Sequence, residues 1–177
     1  HDAGPCRVAH CGGEAVVSMN KPVSLRLATS KDAETIFKWR NDPFILERSS
    51  SRKVVSWEEH QTWVNRVVSD PDILMFIIQW ADDPVGLLRY EFTSESRSCV
   101  VSVYVLEKFT GHGIGLQALA KGSDEVWRKW PAERIVAHVR SDNAAGQKAF
   151  EKAGFVLVKN PSDCPPLHVE YVYGRKQ

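Results

Sequence analysis

A β-branched run at residues 99–106 leads within five residues into Gly111-His112-Gly113-Ile114-Gly115. That turn opens directly into a helical pattern in which Leu116, Leu119, Ala120, Ser123, Val126, Trp127 and Trp130 share a face until Pro131. A strand, a glycine turn and a helix start in this order make an anion site. The first N–H groups of a helix lack internal partners, the helix dipole adds partial positive charge there, and glycine lets a phosphate approach the backbone. The turn is not a Walker loop, which would end Gly-Lys-Ser/Thr, nor a Rossmann fingerprint, since its spacing is GxGxG rather than GxGxxG. A turn that binds nothing stays open at this point.

The elements around the turn follow from periodicity and punctuation. Residues 24–28 alternate as a half-buried strand. Thr29 or Ser30 caps a helix carrying Ala33, Ile36, Phe37 and Arg40, which Asn41-Asp42-Pro43 stops. Ser56 with Glu59 forms a capping box for a second helix with Trp57, His60, Trp63, Val64 and Val67 on one face. Residues 73–80, 85–92 and 99–106 read as an antiparallel meander, and after the glycine turn and its helix comes a strand at 134–140. A short helix from Asn143 to Ala153, closed by Gly154, and strands at 155–158 and 168–173 complete the order. The expectation is one α/β (α+β) sheet of seven mostly antiparallel strands flanked by four helices. The strands on either side of the glycine-turn helix lie parallel through a crossover.

Composition narrows the chemistry. A chain of 177 residues suits one domain, and residues 1–22, rich in Gly and Pro and weak in periodicity, read as a leader, a tag remnant or the tail of a preceding domain, leaving 23–177 as the folded unit. A net charge of +1 gives no reason to expect nucleic acid, and no apolar run is long enough to span a membrane. Cys6, Cys11, Cys99 and Cys164 form no CxxC pair, so neither a metal site nor a disulfide framework is expected, and free thiols suit a cytoplasmic protein.

Two stretches together resemble the GNAT superfamily of N-acetyltransferases. Residues 105–115 (Val-Leu-Glu-Lys-Phe-Thr-Gly-His-Gly-Ile-Gly) resemble its acetyl-CoA motif. Residues 142–155, from Asp142-Asn143 through Phe150 to Gly154-Phe155, resemble its second motif, and both sit in the family's element order. The resemblance implies acetyl-CoA as acyl-donor co-substrate and a sheet that splays between its fourth and fifth strands. Pantetheine would pair along backbone near Val103 and Val105. Amides of Thr110, Gly111, His112, Gly113, Ile114 and Gly115 would face the pyrophosphate, and Asn143 and Phe150 the arm and thioester end. Two positions depart from the family pattern: Thr110 stands where Arg or Gln is usual, and Phe150 where many members have the Tyr that protonates the departing thiolate.

Acetyl transfer to an amine needs the amine neutral, although its pKa is about 10, so a base or water chain must accept its proton. Candidate bases are Glu91, His138 and Asp142, with Tyr104 as a possible donor. Each has a plainer reading: a solvated strand face, a sheet histidine, a helix cap, and packing beside the cleft. The first two helices, with Trp39-Arg40-Asn41-Asp42-Pro43 and Trp57, are similar to those of acetyltransferases that act on nucleotide-linked amino sugars, nearest to the pseudaminic-acid type. On that reading Trp39, Arg40, Asn41 and Trp57 meet a small-molecule amine. The tryptophans also fit a core, and protein N-termini, aminoglycosides or polyamines are alternative acceptors. A non-catalytic acyl-CoA-binding module is a further alternative, and either a monomer or a homodimer is compatible with the sequence.

Overall fold

The computed structural model describes residues 22–175, so the leader assigned to 1–22 lies, apart from Pro22, outside the described residues. One seven-stranded sheet runs in the order β1-β2-β3-β4-β5-β7-β6. Its strands are β1 (Val23–Leu27), β2 (Ile73–Trp80), β3 (Asp83–Thr93), β4 (Ser98–Val105), β5 (Arg134–Arg140), β6 (Val156–Leu157) and β7 (His168–Gly174). Every neighbouring pair is antiparallel except β4 and β5, which the helix after the glycine turn joins in parallel.

Among the described residues five α-helices accompany the sheet: α1 (Ala33–Arg40), α2 (Pro43–Arg48), α3 (Trp57–Ser69), α4 (Ile114–Lys129) and α5 (Ala144–Lys152). The extra one corrects the expected count of four. Asn41-Asp42-Pro43 ends α1 but also starts α2, because the Asp42 carboxylate accepts from the Phe44 amide at 2.9 Å and Pro43 takes the first helical position, where its missing N–H costs nothing. The Ser56–Glu59 capping box forms at the start of α3. Gly154, at φ +89°, closes α5 with Phe155 N–H donating back to the Phe150 carbonyl at 3.0 Å.

Strand alternation divides the core. Cys99, Val101, Val103 and Val105 of β4 point to the α4 side, with Ile114, Ala118, Leu119 and Val126. Tyr104 points to the opposite side and joins Ile36, Val67, Met75, Ile77 and Leu87 beneath α1 and α3. Among the described residues Cys99 and Cys164 are free thiols, and burial pushes that of Cys99 up to about 12, so it stays protonated and inert. No helix among the described residues is long and apolar enough to cross a membrane.

Candidate active site

Strands β4 and β5 pair only from Ser98/Arg134 to Val101/Ala137. Beyond that point each keeps its outer partner: residues 102–105 stay on β3 and residues 138–140 stay on β7. The sheet therefore opens as a V with backbone along each arm. Val103 and Val105 turn their side chains into the α4-side core, so what they offer the opening is main chain. Gly86 faces Val105 across the β3–β4 ladder, where a Cβ would sit 2.3 Å from the Tyr104 carbonyl oxygen. Only glycine allows β3 that close to the splayed arm.

The glycine turn lies at the end of the β4 arm. Gly111 (φ +79°) and Gly113 (φ +71°) are both left-handed, and Gly113 is the N-cap of α4 with no side-chain cap. The first amides of α4 are therefore not taken by a neighbouring side chain. A Cβ at Gly111 or Gly113 would touch nothing within 4 Å, so these positions need glycine for its backbone freedom and not for room. Thr110 Oγ1 donates to the Glu107 carbonyl at 2.8 Å, which tightens the turn, while the ring of His112 lies 5.1 Å from that of Trp80. The helix is aimed by close packing on β3: a Cβ on Gly122 would fall 2.5 Å from Leu88 Cδ2, and the buried Tyr90 hydroxyl donates to the Leu119 carbonyl at 3.2 Å.

At the start of α5, Asn143 Oδ1 accepts from the Gly146 amide at 2.9 Å, so that oxygen acts as a helix cap. Phe150 is buried, edge-on to Phe155 at 5.0 Å and stacked near Tyr171 at 6.5 Å. The Tyr171 hydroxyl donates to Glu151 at 2.9 Å, and burial pushes its pKa up.

The other face of the opening is lined by Tyr104 and by side chains of α1, α3, β3, β5 and β7. Trp39 meets the Tyr104 ring edge-on at 6.4 Å. The Tyr104 hydroxyl is buried with no hydrogen-bond partner; desolvation raises its pKa and the nearby charge of Arg40 opposes that rise. Arg40 donates through Nη2 to the Ser51 carbonyl at 3.0 Å, whereas its Nη1 is buried and unpartnered. On β3, Arg89 stands opposite Ser102, the first β4 residue of the open arm. Its guanidinium lies 5.6 Å from the Trp63 ring, with only a loose ion pair to Glu91 at 3.6 Å, and burial lowers its pKa. On the far arm, His138 Nε2 lies 3.1 Å from Glu170 Oε2 of β7. Asp142 is gripped by Arg140 through two bonds of 2.9 Å and by Arg52 at 2.8 Å, and these cations hold its carboxyl down at about 2.

A family model described as "Acetyltransferase (GNAT) domain" matches residues 23–156. The chain belongs to the GNAT acetyltransferase family. It is an N-acetyltransferase with acetyl-CoA as its co-substrate, and the open sheet and uncapped glycine turn fit that molecule. Acetyltransferase PseH of Campylobacter jejuni serotype O:2 is 22% identical over 135 residues, 76% of this chain and 83% of the relative. Among solved structures, an aminoglycoside acetyltransferase in complex with coenzyme A superposes with a TM-score of 0.75 at 17% identity, covering 87% of this chain and 95% of that one. A ribosomal L7/L12 α-N-protein acetyltransferase with coenzyme A gives a TM-score of 0.75 at 18% identity, covering 88% and 96%.

Within this acetyltransferase the residues singled out from sequence fall in different places. Val103, Val105 and residues 110–115 line one arm and the turn at its end, and Trp39, Arg40 and Tyr104 gather on the sheet face opposite α4. Two residues are engaged elsewhere. Asn41 spends its amide on Val55, donating to the carbonyl at 3.1 Å and accepting from the N–H at 3.0 Å, and Trp57 packs edge-on against Phe37 at 5.3 Å. Glu91 faces Val100 along the closed part of the sheet and is half exposed, while His138 is the first residue past the closed pairing. Asp142, held so low by two arginines, is a clamp and not a proton acceptor at neutral pH. Sequence reasoning missed Arg89, Glu170 and Arg52. The first two become visible only through register, and Arg52 touches a residue ninety positions away.

Proposed function

We propose that this acetyltransferase acetylates the amino group of an anionic small molecule, a nucleotide-linked amino sugar, in the cytoplasm. The observation that carries this reading is Arg40. Among the described residues it has no carboxylate partner, and its Nη1 is buried without a hydrogen bond. A buried donor left without an acceptor costs about 1–3 kcal/mol, a cost that an acceptor oxygen of a ligand removes. Arg89, with Arg66 close enough to depress its pKa, adds to the positive field on the same face, and Trp39 and Trp63 supply flat surfaces for a base or sugar ring. Asp142 is held by two arginines, Glu170 by His138 and Glu91 loosely by Arg89. The arginines of this face favour an anionic acceptor over polycationic aminoglycosides and polyamines. The similarity to Acetyltransferase PseH supports the same acceptor class.

On this reading backbone of residues 103–105 aligns the pantetheine arm, and amides of 110–115 hold the pyrophosphate, with Asn143 and Phe150 beside the arm. The acetyl group that acetyl-CoA supplies then lies in the mouth between Tyr104 and His138, where strand N–H groups are available for the oxyanion. The test is thiol release from acetyl-CoA with three acceptors: a UDP-4-amino sugar, an N-terminal peptide and kanamycin. Preferential turnover of the sugar nucleotide supports the proposal. Preference for the peptide or kanamycin, or cofactor binding without thiol release for any amine, rejects it.

A further inference from the structure

We infer that Glu170 is a positioning residue for the transfer reaction, fixing His138 in the tautomer that makes its other nitrogen the proton acceptor. The inference rests on amine acetylation and not on the acceptor class proposed above. His138 and Glu170 are directly paired across β5 and β7, so both side chains leave the sheet on the same face, the one that also bears Ser102 and Tyr104. The pair lies one residue beyond the last closed β4–β5 contact, Val101/Ala137, at the base of the opening. Both side chains are mostly buried, at 20% and 16% exposure, with Nε2 and Oε2 at 3.1 Å. A carboxylate oxygen only accepts, so Nε2 carries the proton and Nδ1 is left with its lone pair. Among the described residues Nδ1 meets no hydrogen-bond partner, and it is not fully sealed from solvent.

The neighbouring histidine on this face shows the opposite arrangement. His168 donates through Nδ1 to the Pro166 carbonyl at 2.8 Å, and its Nε2 is sealed from solvent without a partner. Of these two histidines it is His138 that combines an orienting carboxylate with an accessible lone pair, the base-and-orienter geometry of activated sites. Other charged or titratable groups facing the pair are Arg89 of β3, Tyr104 of β4, and Arg140 and His168 of β5 and β7. Cys164, on the segment before β7, is close enough to Glu170 to feel its charge.

The proton balance also accounts for Phe150. The acceptor arrives as an ammonium and loses one proton to solvent. As the nitrogen lone pair forms the C–N bond to the acetyl carbon, a second N–H proton passes to His138 Nδ1, and the resulting imidazolium is stabilised by Glu170. The C–S bond breaks with its electron pair on sulfur, and His138 returns its proton to that thiolate, directly or through solvent. The net products are amide, thiol and one released proton, with no phenol required at position 150.

The experiment measures kcat and KM against pH for wild type, Glu170→Gln, His138→Gln and His138→Ala, using whichever of the three panel amines is turned over. Failure of the sugar nucleotide as acceptor is then read separately from failure of the pair. Acetyl-CoA titration of each variant verifies folding. The expected result is a kcat loss of roughly a hundredfold or more in His138→Gln, with the KM for acetyl-CoA and the acetyl-CoA affinity kept. Glu170→Gln retains a partial rate, its loss falling on kcat and not on KM, and added imidazole partly rescues His138→Ala. A wild-type kcat in Glu170→Gln, full activity in His138→Gln, or no rescue of His138→Ala by imidazole overturns the assignment.

Discussion

Arg52 Nη2 donates to Asp142 Oδ2 at 2.8 Å, joining the segment between α2 and α3 to the turn between β5 and α5. With the two Arg140 bonds this ties the acceptor-side helices to the far arm of the opening. Asp142 is drawn down to about 2 by these cations, below its unfolded value near 3.9. A depressed carboxylate contributes stability above the unfolded value and loses it as pH falls through the folded one. Wild-type protein should therefore lose Tm between pH 4 and pH 2 more steeply than Asp142→Asn, measured by thermal denaturation at each pH. The Arg52 contact is exposed enough that high salt should shrink the difference.

Gly113 caps α4 at φ +71° with open space around it. Gly113→Ala forces a left-handed alanine at a cost of about 1–2 kcal/mol, or reshapes the turn. The acetyl-CoA affinity should fall about tenfold or more, with the KM for the acceptor amine little changed. Calorimetric titration of acetyl-CoA measures this.

Gly122→Ala tests how α4 is aimed. Its new methyl would press on Leu88 Cδ2 and the Tyr90 ring, both inside a packed core. Overpacking of this kind costs about 1–3 kcal/mol, read as a lower urea midpoint at unchanged slope. The acetyl-CoA affinity should drop as well, because the amides at the helix start move with the helix.

Tyr104→Phe should separate stability from function. The hydroxyl it removes is buried and unpartnered, so the folded protein should gain on the order of 1 kcal/mol. The KM for the acceptor should rise at the same time. A variant less stable than wild type would show that the hydroxyl already has a partner in solution.

The parts of the molecule governed by local rules were legible in the sequence. The capping box at Ser56 and Glu59, the αL stop at Gly154 and the glycine turn depend on residues within a few positions of one another. Tyr104 and Val103 leave β4 on opposite faces because strand side chains alternate. Asn41-Asp42-Pro43 misled because one triplet can end a helix and cap the next, and only the chain direction after Pro43 decides. Asn41 and Trp57 looked like ligand groups because their side chains suit a ligand, yet Val55 and Phe37 take them. Glu170 and Arg89 carried no local signal at all. Their places beside the opening come from standing opposite His138 and Ser102, a relation set by strand register.

The most direct test of the acceptor face is the kcat/KM of Arg40→Gln for a UDP-4-amino sugar beside its kcat/KM for acetyl-CoA. The expected result is a fall of at least tenfold for the sugar nucleotide with the acetyl-CoA value at saturating acceptor unchanged. Equal efficiency of wild type and Arg40→Gln toward the sugar nucleotide would contradict the account.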